Sequence, residues 1–369
     1  MTAERHTSRS TRSTRRVRRA ATSLFALVVL ATGAVACAQE GGGDDFAVED
    51  TGGGTDGGGS AGGSGSGAAA EFAATADFLK ETATKSAEES HRIEVRIGID
   101  EVADSAPPAM TGEIDGPSSH MQMDLGVIME EVSAGMGLGD LGTGLFGDAD
   151  MTMETITDGD TLYLRAPFFA TLGEMMPTGS TPGASELAAL GDGWGSVSIA
   201  ELGEMLPEDV AASITGQQSF NPRAAVEMME NTEGVEDLGT EEIAGVSQHG
   251  LRAEVTFADL LRTSGMDPEA YVESLGGDAE GAMASLADMR MPVEVWVDDD
   301  GYLRTLTYSL ALGQLMEAAT DGAPGEDLGL GDMTVLYVVS FSDYGADFTF
   351  DAPAGATDIT SAFAEMYAG

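Results

Sequence analysis

A single cysteine, Cys37, stands in 369 residues. The chain therefore has no disulfide framework, and its stability must come from a buried core. Basic residues are nearly as scarce: 17 lysines and arginines face 63 acids, for a net charge of −46. Residues 1–36 hold seven of the basic residues and one acid, so the rest of the chain carries 10 against 62. Such a balance excludes nucleic acid, whose phosphates require Lys and Arg. It also disfavours resting flat on an anionic lipid surface. The acids are spread throughout and read as a solvated surface, with a cationic partner as the functional alternative. Catalytic motifs are missing too. The three histidines beyond the first segment, His91, His120 and His249, lie in no H-E-x-x-H motif and beside no CxxC, and there is no G-x-S-x-G elbow. No enzyme is expected, and no cofactor or metal ion.

What the first forty residues do contain is an export signal. Arg5, Arg9, Arg12, Arg15, Arg16, Arg18 and Arg19 precede an apolar run from Ala20 to Ala36. The run is short for a spanning helix, which needs about 20 apolar residues. Ala34-Val35-Ala36-Cys37 closes it with small residues. A basic stretch, an apolar stretch and a small-residue site make a signal peptide over 1–36. Arg15-Arg16 hints at twin-arginine export, although Arg18 and Arg19 stand where that signal carries apolar residues. The site resembles a bacterial lipobox, in which the Cys thiol receives diacylglycerol; Ala34 replaces the commoner Leu. Cys37 is thus expected to be lipidated and to hold the protein on the extracytoplasmic side of the cell membrane. A plain secreted chain cut after Ala36 is the alternative. Residues 37–70 form a linker rich in Gly and Ser, from Gly41-Gly42-Gly43 to Gly62-Gly63-Ser64-Gly65-Ser66-Gly67. About thirty such residues span roughly 30 Å, a flexible tether.

Residues 71–369 form the folded domain. Phe72, Ala76, Leu79 and Ala83 recur at helical spacing, predicting a helix over 71–88. The period then becomes two. Ile93, Val95, Ile97 and Ile99 alternate with Arg92, Glu94, Arg96 and Asp100; Met121, Met123 and Leu125 alternate with His120, Gln122 and Asp124. Residues 151–157 and 161–166 flank Asp158-Gly159-Asp160, a hairpin signal. Further strands are expected at Leu251–Phe257, Val293–Val297, Tyr302–Leu312, Thr334–Ser342 and Asp347–Asp351. Asp298-Asp299-Asp300-Gly301 lacks EF-hand spacing and reads as a polar turn rather than a calcium loop. Helices are expected at 199–210, at 222–230 behind Asn221-Pro222, and from Asp267-Pro268 toward Ala287. Residues 126–148 and 167–193, rich in Gly, Leu and Met, read as insertions of loops or short helices. Hairpins with helices between them make an α+β class, the helices packed on one face of an antiparallel sheet. No internal repeat is clean.

Methionine is abundant, with 19 beyond Met1. The pairs Met121/Met123, Met151/Met153 and Met289/Met291 each place two side chains on one face of a strand. Three readings stand: ordinary core, an adaptable apolar pocket, or a Cu(I) site of soft thioethers with His120 beside Met121.

Several stretches together resemble the actinobacterial LppX/LprG lipoproteins, relatives in shape of the LolA carrier. They are the lipobox and linker; the helix running into Ile93–Ile99; residues 156–164; Gly239–Val246; Pro292–Asp298; and the close from Tyr344-Gly345 to Asp358-Ile359-Thr360. The resemblance implies a curved antiparallel half-barrel, with helices over its concave face and an apolar cavity for acyl chains. It implies a non-enzymatic protein that binds or carries a lipid or glycolipid. From strand faces, the candidate ligand residues are Ile93, Val95, Ile97, Met121, Met123, Met151, Met153, Leu162 and Leu164. They read equally well as plain core. Two other functions stay open: a non-catalytic surface lipoprotein acting as a protein-interaction or regulatory module, its protein partner unidentified, and a Met-rich Cu(I)-binding lipoprotein.

Overall fold

The computed structural model describes residues 65–102, 106–135, 150–168, 170, 189–191, 193–205, 222, 226, 229, 232, 234–263, 268, 289–311 and 333–367. The signal segment, Cys37 and the linker to residue 64 lie outside the described residues.

Helix α1 spans Gly65–Glu88. It begins six residues before the expected start and takes in the end of the anticipated linker. Ala68-Ala69-Ala70 explains this, since alanine has the highest helix propensity and outweighs the flanking glycines. Leu79, Thr82, Ala83 and Ser86 form its buried stripe at helical spacing. Strands β1 (His91–Ile99), β2 (Met110–Asp115) and β3 (Ser118–Asp124) follow, then helix α2 (Leu125–Gly135), β4 (Thr152–Asp158), β5 (Thr161–Arg165) and β6 (Gly195–Ser198). Helix α3 (Ile199–Met205), β7 (Glu236–Ile243), β8 (Val246–Thr256), helix α4 (Phe257–Thr263), β9 (Arg290–Asp298), β10 (Leu303–Ala311), β11 (Thr334–Ser342), β12 (Thr357–Asp358) and helix α5 (Thr360–Tyr367) complete the order.

The strands form one twelve-stranded sheet in the order β12-β6-β5-β4-β3-β2-β1-β11-β10-β9-β8-β7. Two runs of consecutive strands, β1 to β6 and β7 to β11, meet where β1 pairs antiparallel with β11. Neighbours are antiparallel except β12, which adds parallel to β6. Alternation puts apolar residues on one face: Ile93, Val95 and Ile97 on β1, Val335, Tyr337, Val339 and Phe341 on β11. Helices cover that face. Leu79 and Ala83 of α1, Leu125 and Ile128 of α2, and Phe257, Leu260 and Leu261 of α4 belong to the same buried cluster as the strand residues. A second cluster lies at the β5–β6 end, where Leu162, Leu164 and Val197 meet Leu202 of α3 and Phe363 of α5. The molecule is therefore α+β with a large, mostly antiparallel sheet, as expected.

Several expectations are corrected. Asp347–Asp351 forms no strand: Phe348 and Phe350 stay half-buried on one side and stack, but among the described residues no strand pairs with them. The last strand is instead the two-residue β12. Phe257, read as the end of a strand, opens α4, because Thr256 caps that helix through its hydroxyl, which accepts the Asp259 amide at 3.1 Å. Within 126–148 the chain is helical through Gly135, and residues 136–149 lie outside the described residues. Of 167–193, Ala189–Gly191 is a single 3₁₀ turn. The helix expected at 199–210 is described to Met205. Pro222, Val226 and Met229 are helical and buried, as is Pro268; the rest of those two expected helices lies outside the described residues.

Both sheet edges are blunted against further pairing. Glu236, Asp237, Glu241 and Glu242 are exposed along β7, where a bulge falls between Asp237 and Gly239. The other edge is only two residues long. The tight β9–β10 turn is closed by Asp298. Its carboxylate accepts the amides of Asp300 at 3.0 Å and Tyr302 at 2.9 Å and the Arg304 Nε at 2.5 Å. Those oxygens staple a turn whose Gly301 sits at φ +82°.

The end of α1 is clamped onto this turn. Lys85 donates to the Asp300 carbonyl and lies 4.1 Å from the centre of the Tyr302 ring. Tyr302 stacks on Tyr344 at 4.5 Å, and the Tyr344 hydroxyl donates to the Leu303 carbonyl at 2.6 Å. Burial holds the Tyr344 phenol above its usual range, so it remains a donor. The fully buried Ser86 hydroxyl accepts the Leu303 amide at 2.9 Å. Ser86→Ala leaves that buried amide unpaired and is expected to cost about 1–3 kcal/mol. Urea unfolding measures this, and an unchanged midpoint would show that the clamp contributes nothing.

Candidate functional site

The register of β1 to β6 lays the candidate residues out as rows. In one row Val95 faces Met110, Met110 faces Met123, and Met123 faces Met153. In the next, Ile93 faces Gly112, Gly112 faces Met121, Met121 faces Thr155, and Thr155 faces Leu164. In the third, His91, Ile114, Ser119, Thr157 and Leu162 follow one another. Directly opposed residues in an antiparallel pair hold their Cβ atoms about 4.5–5.5 Å apart, so side chains along each row touch. All nine candidate residues thus fall on one face, Ile97 beside Val95 and Met151 beside Met153.

Gly112 explains how two rows close up. A Cβ there would sit 2.1 Å from Met121 Sδ and 3.0 Å from Ile93 Cγ2. The missing side chain is the slot through which the Met121 thioether reaches Ile93. Neither Gly112 nor Met110 was singled out from sequence. The Gly116-Pro117 turn between β2 and β3 is the signal that would have revealed a hairpin there.

Burial is not uniform along the face. Ile93, Val95, Ile97, Met110, Met121, Leu162 and Leu164 are buried. Met123, Met151 and Met153 are only half-buried, and so are Val127 and Met129 of α2. Met153 packs against both clusters, the large one under α1, α2 and α4 and the small one under α3 and α5. Met153 therefore lies at the junction between the two clusters, with Met123 and Met151 beside it on the large one. Helix α2 starts at this junction. The Asp124 carboxylate accepts the Gly126 amide at 2.8 Å and the Val127 amide at 3.2 Å, and the Leu125 amide donates to the Met151 carbonyl at 3.1 Å. These bonds turn the chain from β3 directly into a helix that lies over β1 and β4.

The histidines are scattered. His120, next to Met121 in sequence, points from the opposite face, where Nε2 meets Glu154 Oε1 at 2.9 Å and Glu154 also holds Arg165 at 3.3 Å. A copper set of His120 with the methionines is therefore not assembled. His91 is buried, its Nδ1 2.9 Å from the Glu89 carbonyl and its ring beside Phe341 and Tyr344. His249 pairs with Asp237 at 3.3 Å on β7. Among the described residues, no group of three or more His, Cys, Asp and Glu is arranged to hold a metal ion. What the face offers chemically is apolar contact with flexible, polarisable side chains at its open part.

No protein-family model matches the chain, and no curated protein does. Among solved structures it is similar to LprF from Mycobacterium bovis, at 11% identity over 77% of this chain and 98% of that one, with a TM-score of 0.37. It is similar to the lipoprotein LppX from Mycobacterium tuberculosis at 13% identity over 76% and 99%, with a TM-score of 0.35. A LolA superfamily protein from Nitrosomonas europaea follows at 11% identity over 74% and 94%, with a TM-score of 0.19.

The gradient along the methionine row predicts unequal costs. Met110→Ala, fully inside, should lower unfolding free energy by about 2–5 kcal/mol. Met153→Ala, half-open already, should cost under about 2 kcal/mol, since less contact and transfer energy is lost. Equal losses in denaturant titrations would mean that the junction is closed core.

Proposed function

We propose that this chain is a membrane-anchored, extracytoplasmic, non-catalytic lipoprotein that takes the acyl part of a lipid or lipidated molecule onto the apolar face of its sheet. The observation that carries this reading is the junction itself. Met123, Met151 and Met153 stand half-buried where the apolar face passes from the large cluster toward the small one. Partly exposed methionine at a seam between two packed clusters is a surface that repacks around an irregular apolar guest. Each methylene transferred from water onto such a face contributes roughly 0.8 kcal/mol. Parting of α2 from β4, or of the two clusters at Met153, would admit a chain to the deeper residues Ile93, Val95, Ile97, Met121, Leu162 and Leu164. Cys37 supplies the anchor in this reading, and the glycine-rich tether holds the domain off the bilayer.

The uptake step is tested by native mass spectrometry of the chain purified without detergent from a lipid-containing host, followed by organic extraction. Stoichiometric lipid is expected, and it should be lost in Met123→Trp and Met153→Trp, which fill the junction, as well as in the deeper Val95→Trp. A clean apo mass with no uptake of offered lipid sinks the reading. The anchor is tested separately. Cys37→Ser should abolish incorporation of labelled fatty acid and release the protein from membranes; retention of the label would place the anchor elsewhere.

A further inference from the structure

We propose that the outer face of the sheet carries a second binding site, separate from the apolar one: a platform built on Trp296 that stacks a sugar ring, while the polar side chains around it take the ring's hydroxyls.

Alternation along β9 buries Met291, Val293, Val295 and Val297 and turns Trp296 to the other side. There the register sets it between Gly250 of β8 and Thr305 of β10, and Gly239 of β7 faces Gly250 in turn. Gly250 leaves the room that the indole occupies. A Cβ at 250 would stand 2.7 Å from Cη2 and Cζ3 and 2.9 Å from Cε3. Three such similar distances put the face of the ring, not its edge, on the strand. The place of a Cβ at Gly239 is open. Glycine inside a strand weakens it and marks a close approach; here the approach lets the indole lie along the sheet and turn its second face outward.

Other aromatic residues are paired, Tyr302 with Tyr344 and Tyr308 with Tyr337. Trp296 is half-buried, and among the described residues no ring or cation stacks on it and no group accepts its indole N–H. Polar groups surround this apolar plane. Glu294 lies two residues back on the same face, opposite Arg252, whose Nε donates to Glu294 Oε1 at 2.9 Å. Both side chains are part-exposed, which leaves guanidinium N–H groups and a carboxylate oxygen for a ligand. Gln248 lies two residues before Gly250 on the same face and is only 4% exposed. Its Nε2 donates to the Ile243 carbonyl at 3.3 Å, while its Oε1 has no partner among the described residues. A buried acceptor of this kind calls for a donor.

The combination selects the ligand. A pyranose has a face of C–H groups and a rim of hydroxyls that both donate and accept. An indole plane takes the face, and its N–H reaches a hydroxyl at the rim. Guanidinium, carboxylate and carboxamide groups take neighbouring hydroxyls. A peptide side chain would need an apolar groove, but the strand positions flanking the ring are glycine and threonine.

The test is intrinsic fluorescence of the Trp194→Phe chain, in which Trp296 is the remaining tryptophan. The probes are neutral tetrasaccharides of glucose, of mannose and of galactose. At least one should shift the emission and saturate with a Kd on the order of 1 mM or tighter. Saturation-transfer NMR should show the same probe bound to the unaltered chain. Trp296→Ala should weaken it by about tenfold or more, and Trp296→Phe, which keeps Gly250 covered, by about threefold. Should Trp296→Ala not fold, Trp296→Phe decides. No saturation by any probe, affinity unaltered in the variants, or a response to a proline-rich peptide with all three sugars silent overturns the proposal. The methionines lie on the opposite face, so none of these outcomes bears on acyl uptake.

Discussion

Register at the β1–β11 seam governs the rest of the molecule. Eight residue pairs, from Arg92 with Ser342 to Ile99 with Val335, join two separate runs of hairpins into one sheet. Because side chains alternate, a slip of one residue here would turn Ile93, Val95 and Ile97 outward and carry Arg92, Glu94 and Arg96 into the core. The desolvation cost of those three charges forbids the slip. Once this register is set, the hairpins on each side extend the same apolar face across the sheet. Helices α1, α2 and α4 then have a surface to bury their stripes on. The methionine row exists only because four strands in succession keep that register.

The outer face obeys a different economy. Its ion pairs are half-exposed, as with Arg92 and Glu113 at 49% and 33%, and pairs of this kind contribute little each. In a chain this acidic, they serve to relieve repulsion where strands bring carboxylates close together. Glu154 sits between His120 and Arg165, and Glu294 beside Arg252. Trp296 lies over Gly250, where a Cβ would come within 2.7 Å of the ring. Stability is thus carried by the helix-covered side, and the scarce arginines make the other side compatible with water and with itself.

Strand positions were legible because their buried side is apolar and their open side is not. Ile93–Ile99, Met121–Met123, the two arms around Asp158-Gly159-Asp160, and Val293–Val297 all follow from that rule, and Thr334–Ser342 matches its observed limits. The same alternation picked the buried side of each strand separately, and the register then lays those sides out as one face. It could not say which strands were neighbours, since pairing across more than 230 residues leaves no local trace. It also misled at Asp347–Asp351, where alternation persists without a partner strand. Helix α1 was cut short because Gly65 and Gly67 mask the pull of three alanines. Gly112 was invisible for another reason: its importance lies in the volume it gives up to Met121, and a residue's neighbours across a sheet are set by fold, not by sequence spacing. His120 shows the converse error, where closeness in sequence was read as closeness in space although a strand sends adjacent side chains to opposite faces.

The seam has a further consequence for the order of events in the life of the chain. Strands β1 and β11 are separated by more than 230 residues, so their contact is of very long range, and contacts of that kind form slowly because a large loop must close first. While residues 334–342 are still missing, β1 has an open edge and the apolar face lacks its middle. A partly synthesised chain therefore cannot complete the sheet until residues 334–342 have emerged.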